Sequence, residues 1–160
     1  MKRIGFLILI FSVISCSNKY KNYYNLHRLK PKDFETKTSI SNKNKDLIYI
    51  YSFNNNILNK EINGFESLTF NKIMGEKIYI KTEERNRKKY TFSNNSSMYF
   101  REFDFILQNY LDGNLEYLLS LEDSFSSSEV GSYFYIFDFE KHKVYKINAI
   151  AFDNKGKLIQ

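Results

Sequence analysis

From Leu47 onward, apolar and polar positions recur with the two-residue period of strands, interrupted between residues 98 and 121 by the longer period of a helix. Leu47-Ile48-Tyr49-Ile50-Tyr51-Ser52-Phe53 is rich in β-branched and aromatic residues, and Asn54-Asn55-Asn56 supplies the turn chemistry to close it. Glu66 to Phe70 and Lys77 to Thr82 read as further strands, the latter with Ile78 and Ile80 on one face and Tyr79 on the other. A charged connection from Glu83 to Lys89 leads into Tyr90-Thr91-Phe92, which predicts a hairpin. Phe100, Phe103, Leu107 and Leu111 then fall three and four residues apart, with Tyr99, Ile106 and Tyr110 widening the stripe and Leu115, Leu118 and Leu119 extending it. Asp112-Gly113-Asn114 either ends one helix, with Asn114 capping the next, or is tolerated inside a single one. Beyond the serine-rich Ser124–Ser128, residues 133–139 and 144–152 predict a hairpin of two long strands. Asp153 to Gly156 then turns into a short last strand at 157–160. Without alternating βαβ units, the expected fold is α+β: a mainly antiparallel sheet packed by one helical segment at about 98–121, in a single domain of residues 47–160.

The beginning of the chain has a different character. Lys2 and Arg3 precede a run from Ile4 to Ile14 that is aliphatic and aromatic apart from Gly5 and Ser12 and carries no charge. The run is about half of the roughly 20 residues a spanning helix needs, and its layout matches a secretory signal peptide. Val13-Ile14-Ser15-Cys16 resembles the lipobox of bacterial lipoproteins, with Ile14 at a position where Ser, Thr or Ala is commoner. The resemblance covers residues 1–16 only. It implies cleavage before Cys16, diacylglycerol on its thiol and acylation of the new N-terminus, palmitate being a typical acyl chain. Residues 16–46 are then expected to be the lipidated Cys and a Lys/Asn/Ser-rich tether, with a short ordered piece at 23–29. Ser17 follows the Cys where Asp would alter sorting, and no acidic cluster comes after it, so the resemblance implies an outer-membrane anchor facing the periplasm.

Composition narrows the functional classes. An apolar fraction of 42% with 15 Phe and 13 Tyr is too high for a disordered chain. One Cys excludes an intramolecular disulfide and any Cys-rich metal site, and two His leave little for a His-based one, so neither a metal nor another cofactor is expected. Loss of residues 1–15 removes Lys2 and Arg3 and lowers the formal charge from +6 to +4. That diluted charge, on an exported chain, argues against nucleic acid. The expected partners are the membrane, through Cys16, and a protein.

No catalytic motif stands out. His27 and His142 read as surface residues, and the pairs Glu83-Glu84 and Glu122-Asp123 as solvated loops. There is no Gly-rich phosphate loop, G-x-S-x-G elbow or H-E-x-x-H pair. Arg85, Arg87, Lys88 and Lys89 form the densest basic cluster, either a solvated hairpin tip or a contact for anionic lipid or an acidic partner. Tyr49, Tyr51 and Phe53 share one strand face, and so do Tyr133, Tyr135, Phe137 and Phe139. Most of these rings are expected in the core beneath the helical segment, with some hydroxyls reaching the surface. Tyr49, Tyr51, Tyr133 and Tyr135 are therefore candidate recognition residues, because tyrosine offers an amphipathic contact with little rotamer entropy to lose. The reading is a non-catalytic binding module, a protective or inhibitor-type protein being one subtype. The alternative is an envelope enzyme or solute-binding protein with a Tyr-lined cleft.

Overall fold

A computed structural model describes residues 23, 25–54, 65–83, 88–93, 100–122 and 132–159; at 25, 27, 53, 54, 83, 88–93 and 132 it describes the backbone alone. The strands fall where the alternation places them: β1 (Leu47–Asn54), β2 (Glu66–Asn71), β3 (Glu76–Glu83), β4 (Lys88–Ser93), β5 (Ser132–Asp138) and β6 (Lys143–Asn148). They form one six-stranded sheet in the order β4-β3-β2-β1-β5-β6. Every pairing is antiparallel. A separate two-stranded ribbon pairs β7 (Ala151–Phe152) with β8 (Leu158–Ile159). The α+β class read from the sequence is the one observed.

The helical segment divides into α3 (Arg101–Leu111) and α4 (Leu115–Ser120), preceded in the chain by α1 (Pro31–Thr36) and α2 (Thr38–Lys43). The division falls at Gly113, whose φ of 81° is a left-handed conformation that glycine adopts without a Cβ penalty. The Gly113 amide donates to the Tyr110 carbonyl at 3.2 Å and the Asn114 amide to the Asn109 carbonyl at 2.9 Å. These are the two bonds of a Schellman ending, and they satisfy carbonyls that α3 would otherwise leave open. Asn114 does precede α4, but its side chain makes no capping bond and donates to Asn109 Oδ1 instead.

Both sheet faces are covered. Ile48, Ile50, Leu68, Tyr79, Phe134 and Ile136 face α3 and α4, where Phe100, Phe103, Ile106, Leu107 and Leu118 complete the main core. On the opposite face Leu47, Tyr49, Phe137 and Phe139 pack with Leu26 and Phe34. The aromatic row expected beneath the helical segment therefore lies beneath the N-terminal segment instead.

That segment corrects the expectation of a tether. Residues 25–43, placed outside the domain by their polar composition, form a 3-10 turn and two short helices against the sheet. Pro31 opens α1, where its missing N–H costs nothing. Phe34 is wholly buried and meets the rings of Phe137 and Phe139 edge-on, at centroid distances of 5.2 and 5.0 Å. A second correction concerns residues 144–152, expected as one strand. Pairing with β5 stops at Asn148, opposite Tyr133, after which Ala149 and Ile150 turn inward and are buried.

Candidate functional site

Register builds the site. Pairing of β1 with β5 sets Tyr49 opposite Phe137, Tyr51 opposite Tyr135 and Phe53 opposite Tyr133. The side chains of Tyr49, Tyr51, Tyr133, Tyr135 and Phe137 therefore share one face. At the end nearest α1 this row is closed, with Tyr49 and Phe137 buried. Further along, Tyr51, Tyr135 and Tyr133 are half-buried and keep part of each ring accessible. Tyr51 stacks on Tyr49 at 6.3 Å and leans on Phe65 at 5.9 Å, so its ring is held in place by aromatic neighbours. Lys146 of β6, opposite Tyr135, carries its ammonium 3.7 Å from the centroid of the Tyr133 ring. This is a cation–π contact at the patch edge, and it adds positive charge to an aromatic surface.

Burial raises the pKa of the Tyr51 hydroxyl, and of Tyr49 still more strongly, so both remain protonated hydrogen-bonding groups at neutral pH. Beneath the patch, the Tyr49 hydroxyl, Ser67 Oγ and Thr69 Oγ1 are buried without a closed hydrogen bond, although Tyr49 lies close to Ser67.

Of the residues singled out from sequence, Tyr51, Tyr133 and Tyr135 come together on this accessible patch, whereas Tyr49 belongs to the core. Lys88 and Lys89 lie on the edge strand β4. Cys16, Arg85 and Arg87 lie outside the described residues. His142 is not a free surface residue. Its Nδ1 faces the Ser41 hydroxyl, its Nε2–H donates to the Glu35 carbonyl at 3.1 Å, and its ring lies 5.2 Å from that of Phe34. A φ of 52° turns the chain so that this ring reaches α1 and α2. It fastens the β5–β6 turn to the N-terminal segment.

Two Tyr–Asp–Lys constellations went unread in the sequence. Asp104 Oδ1 accepts from Lys77 Nζ at 2.7 Å and from the Tyr79 hydroxyl at 2.6 Å, tying α3 to β3. Asp138, fully buried at the end of β5, accepts from the Tyr110 hydroxyl at 2.6 Å, from Lys72 Nζ at 3.3 Å and from the Glu140 and Lys141 amides at 3.0 and 3.1 Å. Burial pushes the Asp138 carboxyl up, but the bonds from Tyr110, the Lys141 amide and Lys72 outweigh it and hold it below the ordinary carboxylate value. Burial above all, and then the hydrogen bonds to Asp104 and Asp138, push the Tyr79 and Tyr110 hydroxyls well above theirs. The two carboxylates bolt α3 to the sheet at two points along its length.

Among the described residues no group of three or more His, Cys, Asp or Glu is placed to hold a metal ion, and no helix is long and apolar enough to cross a membrane. The chain matches no protein-family model, no curated protein and no solved structure.

Proposed function

We propose that the chain is a lipid-anchored bacterial envelope protein, held at the outer membrane facing the periplasm, that acts as a non-catalytic module binding a protein partner. The lipobox-like Val13-Ile14-Ser15-Cys16, with the chain's only Cys in the required place, supports the anchor. Two acyl chains suffice for stable attachment, since each buried methylene contributes about 0.8 kcal/mol. Cys16→Ala is expected to abolish incorporation of labelled palmitate and to leave residues 1–15 attached, as read by metabolic labelling and intact mass. Normal maturation of that variant removes the anchor from the account.

The observation that carries the binding reading is the accessible row Tyr51–Tyr135–Tyr133 with Lys146 at its edge. The rings are fixed by their neighbours, so a partner can cover them at little entropic cost. Aromatic residues so placed are the kind that dominate binding energy at protein interfaces. Crosslinking in intact cells, followed by affinity purification of the lipidated protein, is expected to recover a single partner near one-to-one. The double variant Tyr133→Ala/Tyr135→Ala should cut that recovery at least tenfold while retaining the cooperative thermal transition. Undiminished recovery places the partner elsewhere on the surface.

A further inference from the structure

The β2–β3 turn presents the two most exposed large apolar side chains of the described residues, Ile73 at 76% and Met74 at 65%. The turn that displays them is stiff. Asn71 Oδ1 accepts from the Ile73 and Met74 amides, both at 3.0 Å, and the Gly75 amide closes the turn on the Asn71 carbonyl at 2.8 Å. Gly75 has φ 64°, so the reversal relies on a residue without a Cβ. Such a turn does not bury its apolar tip by folding back, and two adjacent aliphatic side chains stand in water on a pre-organised backbone.

Both signs of charge lie at this end of the sheet, where lysines outnumber the carboxylates Asp46, Glu76, Asp138 and Glu140. Leu47 pairs with Asn71, Ile48 with Asp138 and Asp138 with Lys143, so the start of β1, the β2–β3 turn and the β5–β6 turn lie at one end. The Lys72 amide also bonds the Asp46 carbonyl at 2.8 Å. Lys43, Lys45 and Lys143 at this end are exposed, and none of the ion pairs among the described residues engages them. Glu140, the most exposed carboxylate of the β5–β6 turn, is taken up by Lys72 at 2.6 Å.

We infer that this end of the sheet docks on an anionic lipid surface, with Ile73 and Met74 entering the headgroup region and Lys43, Lys45 and Lys143 meeting the lipid phosphates. Aliphatic tips beside three exposed lysines match such a surface in both polarity and charge. The inference rests on the anchor reading for proximity: six residues separate Cys16 from Tyr23, a span of at most about 25 Å, so the bilayer stays within reach of the domain.

The test uses the full lipidated chain carrying Met74→Cys, purified from membranes and treated with an environment-sensitive thiol dye. One label per chain means that Cys16 is acylated; two mean that the anchor reading has failed, whatever the dye then reports. In vesicles with about a third anionic lipid, the emission should shift to the blue and be quenched by lipid-borne quenchers. In purely zwitterionic vesicles, or with Lys43, Lys45 and Lys143 all changed to Glu, quenching should fall severalfold, each lysine near an anionic surface being worth roughly fivefold in binding. The same dye on Ser120→Cys, beside the far end of β6, should stay aqueous throughout. A Met74 label that remains aqueous in anionic vesicles overturns the lipid proposal. If that label is shielded only in intact envelopes, the tip seats in a protein, which also overturns it.

Discussion

Phe34→Ala is expected to destabilise the protein by about 3–5 kcal/mol, the range for truncating a buried Phe. Phe34 is wholly buried and makes edge-on contacts with Phe137 and Phe139. Its removal also loosens α1, and with it the Glu35 carbonyl that His142 Nε2–H uses. For a domain of this size the loss corresponds to a fall in Tm of roughly 10 °C or more, read by calorimetry or circular dichroism. A variant beginning at Asp46 should fare worse, because the rings of Tyr49, Phe137 and Phe139 would lose Phe34 and Leu26 and become a sticky patch. A shift of only a degree or two for Phe34→Ala would mean that the N-terminal segment rests on the sheet without stabilising it.

Asp138→Asn is expected to cost about 2–4 kcal/mol at neutral pH, since it removes the ionised acceptor shared by Tyr110, Lys72 and two backbone amides. The pH dependence follows from the direction of the shift. Asp138 has a folded-state value below its ordinary 3.8, so on acidification the unfolded chain takes up the proton first. The stabilisation is fully present above about pH 4 and is lost as pH falls through the depressed folded value. Denaturant titrations should therefore show a wild-type advantage over Asp138→Asn that is constant at neutral pH and shrinks in acid below pH 4. Tyr110→Phe should lose less, and the double variant less than the sum, because both substitutions break the same bond. An advantage that persists unchanged in strong acid would contradict the account of Asp138 as an ionised hub.

Much of the sheet was legible because its strands alternate or are continuously apolar. In one respect the sequence said more than periodicity alone reveals. Leu47-Ile48-Tyr49-Ile50-Tyr51 contains no polar residue, and Tyr133 to Phe137 contains none either. A strand apolar on both sides must be covered on both sides. One helical segment at 98–121 covers only one face, so a second cover was required. It comes from residues 25–43, obscured by composition: α1 and α2 have six residues each, and Phe34 and Ile40 are their apolar contributions to the core cluster. Helices this short show too few turns for a periodic stripe. The division at Gly113 was one of two readings the residues allowed, and the Schellman bonds decide it.

The tyrosine patch was legible in part for the same reason. Parity along a strand places Tyr49, Tyr51, Tyr133 and Tyr135 on a common face once β1 and β5 pair, but which end of that face is closed depends on where α1 lies. That is why Tyr49 proves to be core while Tyr51, Tyr133 and Tyr135 stay accessible. Lys146 could not be found beforehand, because its place over Tyr133 depends on the register across the β5–β6 turn. Asp138 and Asp104 likewise owe their surroundings to Lys72, Tyr110, Lys77 and Tyr79, each distant in sequence from the carboxylate it meets.

The central claim is that the tyrosine face holds a protein partner, and a photoreactive amino acid at Tyr135 tests it most directly. The full chain expressed in intact cells, irradiated and resolved by mass, is expected to give one discrete adduct from Tyr135. The same residue at Glu116, exposed on α4 over the opposite sheet face, should give none. No adduct at Tyr135, or the same adducts from both positions, contradicts the claim.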